Sequence, residues 1–398
     1  MAAFTGWAPQ QKGLILDGCA GPGGWSWGIK HHLGLRDLGI EWDVAACATR
    51  RAAKLATRRA DVSTFNLAPF LGRVWGLLFS PPCTKLSAAG NGIGRKYIPL
   101  LSDGIRRMFR GEDCREEVRK AIFPGALVEQ RKRDVKRPES KRRSEEELVQ
   151  AARDDAFVTA LMLEPARYLH ELLGAVDPQV PFEWVAFEQV PAAEPMWRVY
   201  AEELRRLGWS VAVGVLDLAD YGGGQERPRA ILVASSVREV SLPAKTHGKV
   251  WGHDLFGGQV LPQVTMAQAL GWGYKQRPAP TVTGGGTATG GAEPFGNGSR
   301  QAMLKAMNNP RHWAHHRPAH TVSGTVGHVG GKQSGGHLNL DPVEGAILQT
   351  FPANYPFRGN KNERSRQIGD AVPPLLAAHV VSAASGVPFL QEALTQAA

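Results

Sequence analysis

Residues 13–25 read GLILDGCAGPGGW, an apolar run followed directly by a glycine-rich turn and the start of a helix-like stretch. The apolar run predicts a buried strand. Glycines in the turn let the backbone approach a ligand closely, and the N-terminus of the following helix favours an anionic group. This arrangement is typical of the first strand and the ligand-binding loop of an α/β domain.

The same alternation of elements continues along the chain. Further apolar runs fall at residues 40–44, 74–80, 184–188 and 230–234, and the stretch 196–207 between the last two has a helical pattern. Strands that alternate with helices indicate a mostly parallel sheet with helices on both faces. The sequence therefore predicts an α/β fold built on a doubly wound, mostly parallel sheet.

The composition and the charge limit the classes of protein to which this chain can belong. Hydrophobic residues make up 43% of the 398 residues and charged residues 21%, which excludes global disorder and fits two domains or one domain with an insertion. No apolar run reaches about 18 residues and residues 1–13 lack a secretory signal. The four cysteines lack CxxC spacing, so we expect reduced thiols in an intracellular protein. The net charge of +10 suits a polyanionic partner.

Two regions interrupt the alternation, and the first is about residues 96–150. This region is charged, and its run 131–143 (RKRDVKRPESKRR) holds eight basic and two acidic residues. We interpret it as a solvated, partly disordered insertion, and contact with nucleic-acid phosphates is the alternative.

The second interruption, about residues 241–338, is rich in Gly, Thr and His. It contains a repeat, RPAPTVTG at 277–284 and RPAHTVSG at 317–324. Two copies are too few for a solenoid, so we predict two similar strand–loop elements in a small, irregular β domain. The histidines within residues 312–320 have no cysteine or carboxylate at ligand spacing, and we predict no metal site.

Acidic residues follow the predicted strands at the edge where the glycine-rich turn lies. Glu41 ends the second apolar run, where a carboxylate can bind ribose hydroxyls, and Trp42 can stack on a purine. Asp61 and Val62 lie where a third strand would end, and the Asp61 carboxylate can accept from an adenine amino group. Together these residues predict a nucleoside-cofactor pocket at the carboxyl edge of the sheet.

A cysteine stands at the next strand end, in SPPCTKLS at residues 80–87. Two prolines hold Cys83 on stiff backbone, and the polar residues that follow favour a thiolate nucleophile over the alternative of a buried structural thiol. Glu188 ends another apolar run, and QERPR at 225–229 precedes the next one. Taken singly, a glutamate at a strand end is more often a helix cap or an ion-pair partner, and a pair of arginines is more often part of a solvated face.

In this order the motifs resemble the sequence blocks of the DNA (cytosine-5) methyltransferases. The blocks are DGCAGPGG, EWD, DV, PPC, EQV, QERPR, EGAILQTFP and QIGDAVPP, and they run from near the N-terminus to Pro374. The resemblance covers almost the whole chain apart from the charged insertion and the glycine-rich region. It is specific because these short blocks occur together, in order and at suitable spacing.

The resemblance implies transfer of a methyl group from S-adenosylmethionine to C5 of cytosine in a specific double-stranded DNA sequence, with the target base flipped out of the helix. Cys83 matches the nucleophile that adds to C6. Glu188 matches the glutamate that hydrogen-bonds or protonates N3, and Arg229 matches the arginine that contacts the base oxygen. We include Arg227 among the catalytic residues because the resemblance implies that it supports the architecture around Arg229.

The resemblance also implies which residues surround the cofactor and the DNA. The cofactor residues come from the glycine-rich loop, the strand ends and the C-terminal block: Asp17, Cys19, Ala20, Gly21, Gly23, Gly24, Glu41, Trp42, Asp61, Val62, Pro82, Asp370 and Val372. The DNA residues are Ser87, in a loop that closes over the flipped base, Gln225, and a threonine of the repeat. The two repeat copies leave open whether Thr281 or Thr321 is the recognition residue.

The implied architecture is a Rossmann-like methyltransferase domain with a smaller, irregular, β-rich target-recognition domain inserted into it. We place the catalytic domain at residues 1–236, the recognition domain and hinge at 237–364, and a segment that returns to the catalytic domain at 365–398. We expect double-stranded DNA as the partner and no binding of metal or membrane. We also expect a monomer that lies in the cytoplasm of a bacterial or phage-infected cell. A cognate restriction endonuclease, phage self-protection and regulation are all compatible with the sequence.

The sequence departs from the family pattern at several positions. These are Cys19 for an aromatic, Gln189 for asparagine, Thr84 for glutamine, Leu86 for an aromatic, Asp370 for asparagine and Asn339 for arginine. None of them removes the implied nucleophile, acid or base-contacting arginine.

Three alternatives stay open from the sequence. The first is the same chemistry on tRNA, although the size of the inserted region suits DNA reading better. The second is a catalytically silent DNA-binding relative, against which the presence of Cys83, Glu188 and Arg229 argues. The third is a nicotinamide-dependent oxidoreductase, against which the turn DGCAGPGG argues because it is not GxGxxG.

Overall fold

The chain forms two compact units. The structure is a computed structural model, and it describes residues 10–82, 93–249, 252–253, 259–271, 317–322, 328–329 and 338–390. The first unit consists of Met1–Leu216, Pro228–Pro243 and Leu376–Ala398, and the second of Asp217–Arg227 and Ala244–Leu375. The segment Asp217–Arg227, which the sequence analysis placed in the large domain, thus belongs to the second unit. The catalytic and recognition roles assigned to the domains stay predictions.

The elements of the described residues follow the alternation expected of an α/β chain. The strands are β1 (Leu14–Gly18), β2 (Asp37–Glu41), β3 (Thr57–Arg59), β4 (Val74–Phe79), β5 (Trp184–Gln189), β6 (Ser210–Asp217), β7 (Gln225–Glu226), β8 (Pro228–Ser235), β9 (His247–Gly248), β10 (Gly252–His253), β11 (Gln259–Pro262), β12 (Ala319–His320), β13 (His328–Val329) and β14 (Leu338–Asn339). The helices are α1 (Gly24–Leu33), α2 (Val44–Ala52), α3 (Ile98–Phe109), α4 (Arg115–Val135), α5 (Glu145–Ala160), α6 (Glu164–Leu173), α7 (Glu194–Arg206), α8 (Met266–Ala269), α9 (Pro342–Leu348), α10 (Lys361–Asp370) and α11 (Pro374–Ser385).

Seven of these strands form one sheet in the order β3-β2-β1-β4-β5-β8-β6. The pairs from β3 to β5 are parallel, and β8 runs antiparallel to β5. All six residues of β4 and all six of β5 are buried, as expected of strands covered on both faces. The prediction of a doubly wound, mostly parallel sheet is confirmed.

The charged region of about residues 96–150 is helical rather than partly disordered, so that expectation was wrong: it contains α3, α4 and the first turns of α5. Helices α4 and α5 pack on each other, and each buries apolar side chains at four-residue spacing, which is one face of an α-helix. These side chains are Val118, Ile122 and Ala126 on α4 and Leu148, Ala152 and Ala156 on α5. The basic run lies at the far end of the pair, where Arg143 Nε bonds Asp134 Oδ1 at 3.0 Å and Arg131 pairs with Glu145. We call α4 and α5 the inserted hairpin.

The second unit contains short strands and short helices in its described part. Strands β10, β11 and β9 pair in that order, β12 pairs with β7, and β13 pairs with β14. Helices α8, α9 and α10 each begin with a capping box, in which the side chains of the N-cap and N3 residues satisfy each other's backbone N–H. The elements are short and irregular, as expected, and in the described part helices hold at least as many residues as strands do, so a β-rich recognition domain stays a prediction.

One helical stretch of the described residues, Lys361–Ser385, is long and apolar enough to cross a membrane by length and composition alone. Of its most apolar window, 67% is buried inside the protein. Within α11, Leu376, Ala377 and Val381 are fully buried. A buried core helix passes the same test.

Candidate active site

The strand topology brings the predicted residues of the first unit to one edge of the sheet. The segments that follow β1, β2, β4 and β5 all lie at the carboxyl ends of neighbouring parallel strands, and Asp61 follows β3. Ligands of doubly wound sheets bind at this edge. The glycine-rich loop, Glu41, Pro82 and Glu188 therefore belong to one region of the molecule.

The glycine-rich loop has the backbone conformation that its glycines predict. Gly21 and Gly23 have φ of 53° and 103°, values that L side chains rarely adopt, and Gly23 is the N-cap of α1. Gly21 N donates to Glu41 Oε2 at 2.7 Å, and Ala20 N donates to Ile40 O at 3.1 Å. A Cβ added at Gly21 would meet nothing within 4 Å, so open space lies beside the loop.

Glu41 connects the loop to the end of β2. Its Oε1 accepts from the backbone N–H groups of Trp42 and Asp43, both at 2.8 Å. Burial raises the pKa of Glu41, and the hydrogen bonds from Asp43, Gly21 and Trp42 oppose that rise. A carboxylate offers about four acceptor positions, so one remains beyond these three bonds.

A buried arginine that the sequence analysis missed lies behind the loop. Arg50 is fully buried in α2, and its guanidinium donates to Ala20 O at 3.3 Å, Ala56 O at 3.0 Å and Thr57 Oγ1 at 2.9 Å. It is also the cation nearest to two buried carboxylates, 3.9 Å from Asp17 Oδ2 and 3.6 Å from Asp37 Oδ2. Arg50 thus holds the glycine-rich loop against β2 and β3.

Asp17, at the end of β1, is a buried carboxylate with unused acceptors. Neither of its oxygens has a hydrogen-bond partner in the described part of the chain. Burial raises its pKa well above the usual value, the neighbouring Asp37 raises it further, and Arg50 lowers it. Cys19, beside it, has φ of 61°, and burial together with the nearby Glu41 and Asp17 carboxylates raises the pKa of its thiol. The Cys19 thiol is therefore protonated and unreactive at neutral pH.

Trp42 and the residues after β3 form the outer part of this region. Trp42 is 52% exposed, and its ring stacks on Phe157 with centroids 6.0 Å apart. Asp61 Oδ1 accepts from Ser63 N at 2.8 Å, which fixes the turn after β3. Val62 is buried, and its carbonyl accepts from two side chains of α6.

The predicted acid and the base-contacting arginine form a buried ion pair. Arg229 Nε lies 2.9 Å from Glu188 Oε1, and both residues are nearly inaccessible to solvent. The antiparallel register of β5 and β8 pairs Glu188 with Ile231, so Arg229, two residues away, lies diagonally opposite Glu188 on the same face. Arg229 Nη1 also donates to Pro228 O at 2.7 Å, which fixes its guanidinium.

The segment that leads to Cys83 is tied to two elements. Ser80 Oγ accepts from Trp25 Nε1 of α1 at 2.9 Å, and Pro81 O accepts from Gln189 Nε2 at 2.7 Å. Gln189 Oε1 accepts in turn from Val190 N. Gln189 thus links the end of β5 to the turn that carries the predicted nucleophile.

Some predicted residues cannot be placed. Cys83, Thr84, Leu86, Ser87 and Thr281 lie outside the described residues, so their roles stay predictions. Among the residues that the structure describes, no group of three His, Cys, Asp or Glu side chains could hold a metal ion.

Replacing Gln189 by methionine is expected to lower the free energy of unfolding by about 1–3 kcal/mol. The variant leaves the carbonyl of Pro81 and the N–H of Val190 without their partner in a buried place. Urea unfolding monitored by circular dichroism measures the change. Gln150→Met, on the exposed face of α5, is the control and should change it by less than about 0.5 kcal/mol. A Gln189 variant as stable as the wild type would contradict the structural role.

Within QERPR, the side chains of Gln225 and Arg227 bond other segments of the second unit. Gln225 is fully buried, with Nε2 donating to Leu348 O at 2.8 Å and Oε1 accepting from Val322 N at 2.8 Å. Gln225 thus has structural bonds, and its contact with DNA stays a prediction. Arg227 donates to the carbonyls of the two segments beside it: Val322 O at 3.1 Å, Gly369 O at 2.7 Å and Ala371 O at 2.9 Å. Its role is thus to join segments of this unit.

The second repeat copy packs beside QERPR. Strand β12 pairs with β7 in parallel, and Thr321 Oγ1 donates to Glu226 O at 2.7 Å. Thr321 therefore has a structural bond, and its contact with DNA stays a prediction. Asp370 and Val372 also belong to the second unit, and their part in cofactor binding stays a prediction.

Comparison with known proteins identifies the family. Residues 183–385 match the sequence profile of the C-5 cytosine-specific DNA methylases. The chain belongs to this family. Type II methyltransferase M1.HphI of Haemophilus parahaemolyticus is 27% identical over 197 residues, 46% of this chain and 50% of that protein. DNA (cytosine-5-)-methyltransferase M.ApeKI of Aeropyrum pernix is 41% identical over 76 residues, 18% of this chain and 16% of that protein.

The chain therefore spans half or less of the length of these curated relatives. Among solved structures, methyltransferase EhMeth of Entamoeba histolytica is 10% identical, with 94% of this chain and 98% of that chain covered and a TM-score of 0.47. The Dnmt2 methyltransferase of S. pombe is 12% identical, with 93% and 97% covered and a TM-score of 0.49. The matched region of this chain includes β5 and β8, and thus the Glu188–Arg229 pair.

Proposed function

We propose that this methylase transfers a methyl group from S-adenosylmethionine to C5 of a cytosine that is flipped out of a specific double-stranded DNA sequence. The buried ion pair between Glu188 and Arg229 carries the proposal. Glu188 lies on β5, the strand next to β4, which leads to Cys83, and the adjacent Gln189 donates to the carbonyl of Pro81. A nucleophile, an acid and a cation are the three groups that this reaction requires.

The residues beside the glycine-rich loop fit the cofactor. Three buried acidic residues, Asp17, Asp37 and Glu41, lie around the single guanidinium of Arg50. Asp17 offers two unused buried acceptors, and the space beside Gly21 is open. When bound, S-adenosylmethionine supplies an electrophilic methyl group on its sulfonium.

Each part of the cofactor has residues that would hold it. The backbone of the glycine-rich loop suits the methionine part, and the remaining acceptor position of Glu41 suits a ribose hydroxyl. The half-exposed ring of Trp42 suits the adenine face. The Asp61 carboxylate and the backbone of Val62 suit the adenine edge. Cys19 would contribute only its backbone to the cofactor pocket, because it stands where the family pattern has an aromatic residue and its thiol cannot stack on the adenine.

The chemistry on the base follows from Cys83, Glu188 and Arg229. The Cys83 thiolate forms a bond from Sγ to C6, and the electron pair of the C5–C6 bond becomes available at C5. Glu188 holds a proton at N3 as negative charge develops on the ring, and Arg229 stabilises charge on the base oxygen. After C5 has gained the methyl group, the C5 proton passes to water, the electron pair of that bond re-forms the C5–C6 double bond, and Cys83 leaves as a thiolate. The proton at N3 returns to Glu188, which restores the aromatic base.

The proposal is tested by incubating the purified protein with methyl-labelled S-adenosylmethionine and either double-stranded DNA or tRNA. We expect label in the DNA only, as 5-methylcytosine at one short motif when the product is sequenced after bisulfite treatment. Label in tRNA would show the alternative substrate, and label in neither would contradict the proposed activity. In cells, the expected location of the protein is on DNA in the cytoplasm of a bacterium or of a phage-infected cell.

A further inference from the structure

The inserted hairpin contacts the predicted cofactor pocket at two separate points. The first contact lies at the N-terminus of α4. Arg115, the first residue of that helix, donates from Nη1 to Ser63 O at 2.7 Å. Ser63 follows directly on Asp61 and Val62, which are assigned to the adenine edge. We call residues 61–65 the adenine-side loop.

A buried carboxylate organises this first contact. Glu164 is fully buried, and it accepts from Arg115 Nη1 at 3.0 Å and from Arg167 Nε at 2.9 Å. Arg167 in turn donates from Nη2 to Val62 O at 2.7 Å. Two carbonyls of the adenine-side loop are thus held by two guanidinium groups that share one buried counter-charge. Charge-assisted hydrogen bonds of this kind are strong and directional.

The second contact is aromatic and comes from α5. The ring of Phe157 stacks on Trp42 with an interplanar angle of 28° and centroids 6.0 Å apart. The guanidinium carbon of Arg119, on α4, lies 4.7 Å from the centroid of the Phe157 ring. Trp42 is therefore supported by a stack of two side chains from the inserted hairpin, while half of its own surface stays exposed.

We propose that the inserted hairpin is part of the cofactor pocket: Arg115 and Phe157 of the hairpin, together with Glu164 of α6, are positioning residues for the adenine-side loop and the Trp42 ring. The inference rests on the proposed function, because it takes S-adenosylmethionine as the ligand. It gives the hairpin a role in cofactor affinity that is separate from its basic run. A helix of 21 residues is about 30 Å long, so the basic run lies at the opposite end of α4 from Arg115.

Two variants test the proposal, and a third is the matched control. Phe157→Ala removes the support of Trp42 and Arg115→Met removes the bond to Ser63 O, so we expect each to weaken binding of S-adenosylhomocysteine about 5- to 20-fold in calorimetry. Arg131→Met removes an arginine of the same helix at its far end and should change that affinity less than twofold. The KM for S-adenosylmethionine should rise in the first two variants, whereas the KM for DNA should not change.

The outcomes separate this inference from the proposed function. Affinities of Phe157→Ala and Arg115→Met within twofold of the wild type would overturn the inference and leave the proposed function intact. A wild-type protein that fails to bind S-adenosylhomocysteine would overturn both. Phe157 is only partly buried, so Phe157→Ala keeps the test decisive if Arg115→Met fails to fold. Urea unfolding of each variant shows which of them have folded.

Discussion

Cells that express the Cys83→Ser variant are expected to contain no new 5-methylcytosine, whereas cells that express the wild type carry it at one short motif. A serine hydroxyl is a far weaker nucleophile than a thiolate toward C6, so the rate should fall by about 10³-fold or more. Bisulfite sequencing of genomic DNA measures the difference. Methylation that persists in the variant would remove Cys83 from the mechanism.

A second thiol provides the control for this experiment. Cys114 is buried, its Sγ donates to Gly104 O at 3.5 Å, and burial raises the pKa of its thiol. We expect Cys114→Ser to keep the methylation pattern of the wild type. DNA that contains 5-fluorocytosine should trap the wild type and Cys114→Ser as a covalent complex, because elimination requires a C5 proton that this base lacks. It should not trap Cys83→Ser, which lacks the thiol that forms the bond.

Replacing Arg50 by methionine is expected to lower the free energy of unfolding by about 3–5 kcal/mol. The change removes the cation that lies between Asp17 and Asp37 and leaves two buried carboxylates without it. It also leaves the carbonyls of Ala20 and Ala56 without their donor. Urea unfolding measures the loss, and binding of S-adenosylhomocysteine should weaken as well because Ala20 lies in the glycine-rich loop.

The neighbouring arginine is the matched control. Arg51 is exposed on the same helix, and a change to methionine there should alter the free energy of unfolding by less than about 0.5 kcal/mol. Equal stability of the two variants would show that the charge of Arg50 does not compensate Asp17 and Asp37.

The fold was predictable because it depends on local patterns. The run VWGLLF in β4 and the first four residues of β5, WVAF, are mostly apolar, and the polar residues with predicted roles come after these apolar stretches. Since parallel strands end at one edge, the order of these motifs already indicated a common site. Nothing local distinguishes Arg50 from Arg51, however, because burial of Arg50 depends on the space that Gly39 leaves: a Cβ there would lie within 2 Å of its guanidinium.

Two other features depended on contacts that sequence spacing does not reveal. The inserted hairpin looked disordered because its charge dominates its composition, although the stripe of Val118, Ile122 and Ala126 was present as a signal. In QERPR, Arg227 and Arg229 are two residues apart, yet Arg227 bonds carbonyls of the second unit and Arg229 pairs with Glu188. Arg227 lies in the junction between β7 and β8, whereas Arg229 lies in β8 beside β5, and the spacing of the two residues in the sequence does not reveal this difference.

The register between β5 and β8 limits how this protein can change in evolution. Side chains alternate between the two faces of a strand, so one residue gained or lost inside Pro228–Ser235 would turn Arg229 to the face opposite Glu188. We expect homologues to show no gaps across residues 228–235, a pattern that an alignment of many sequences can check.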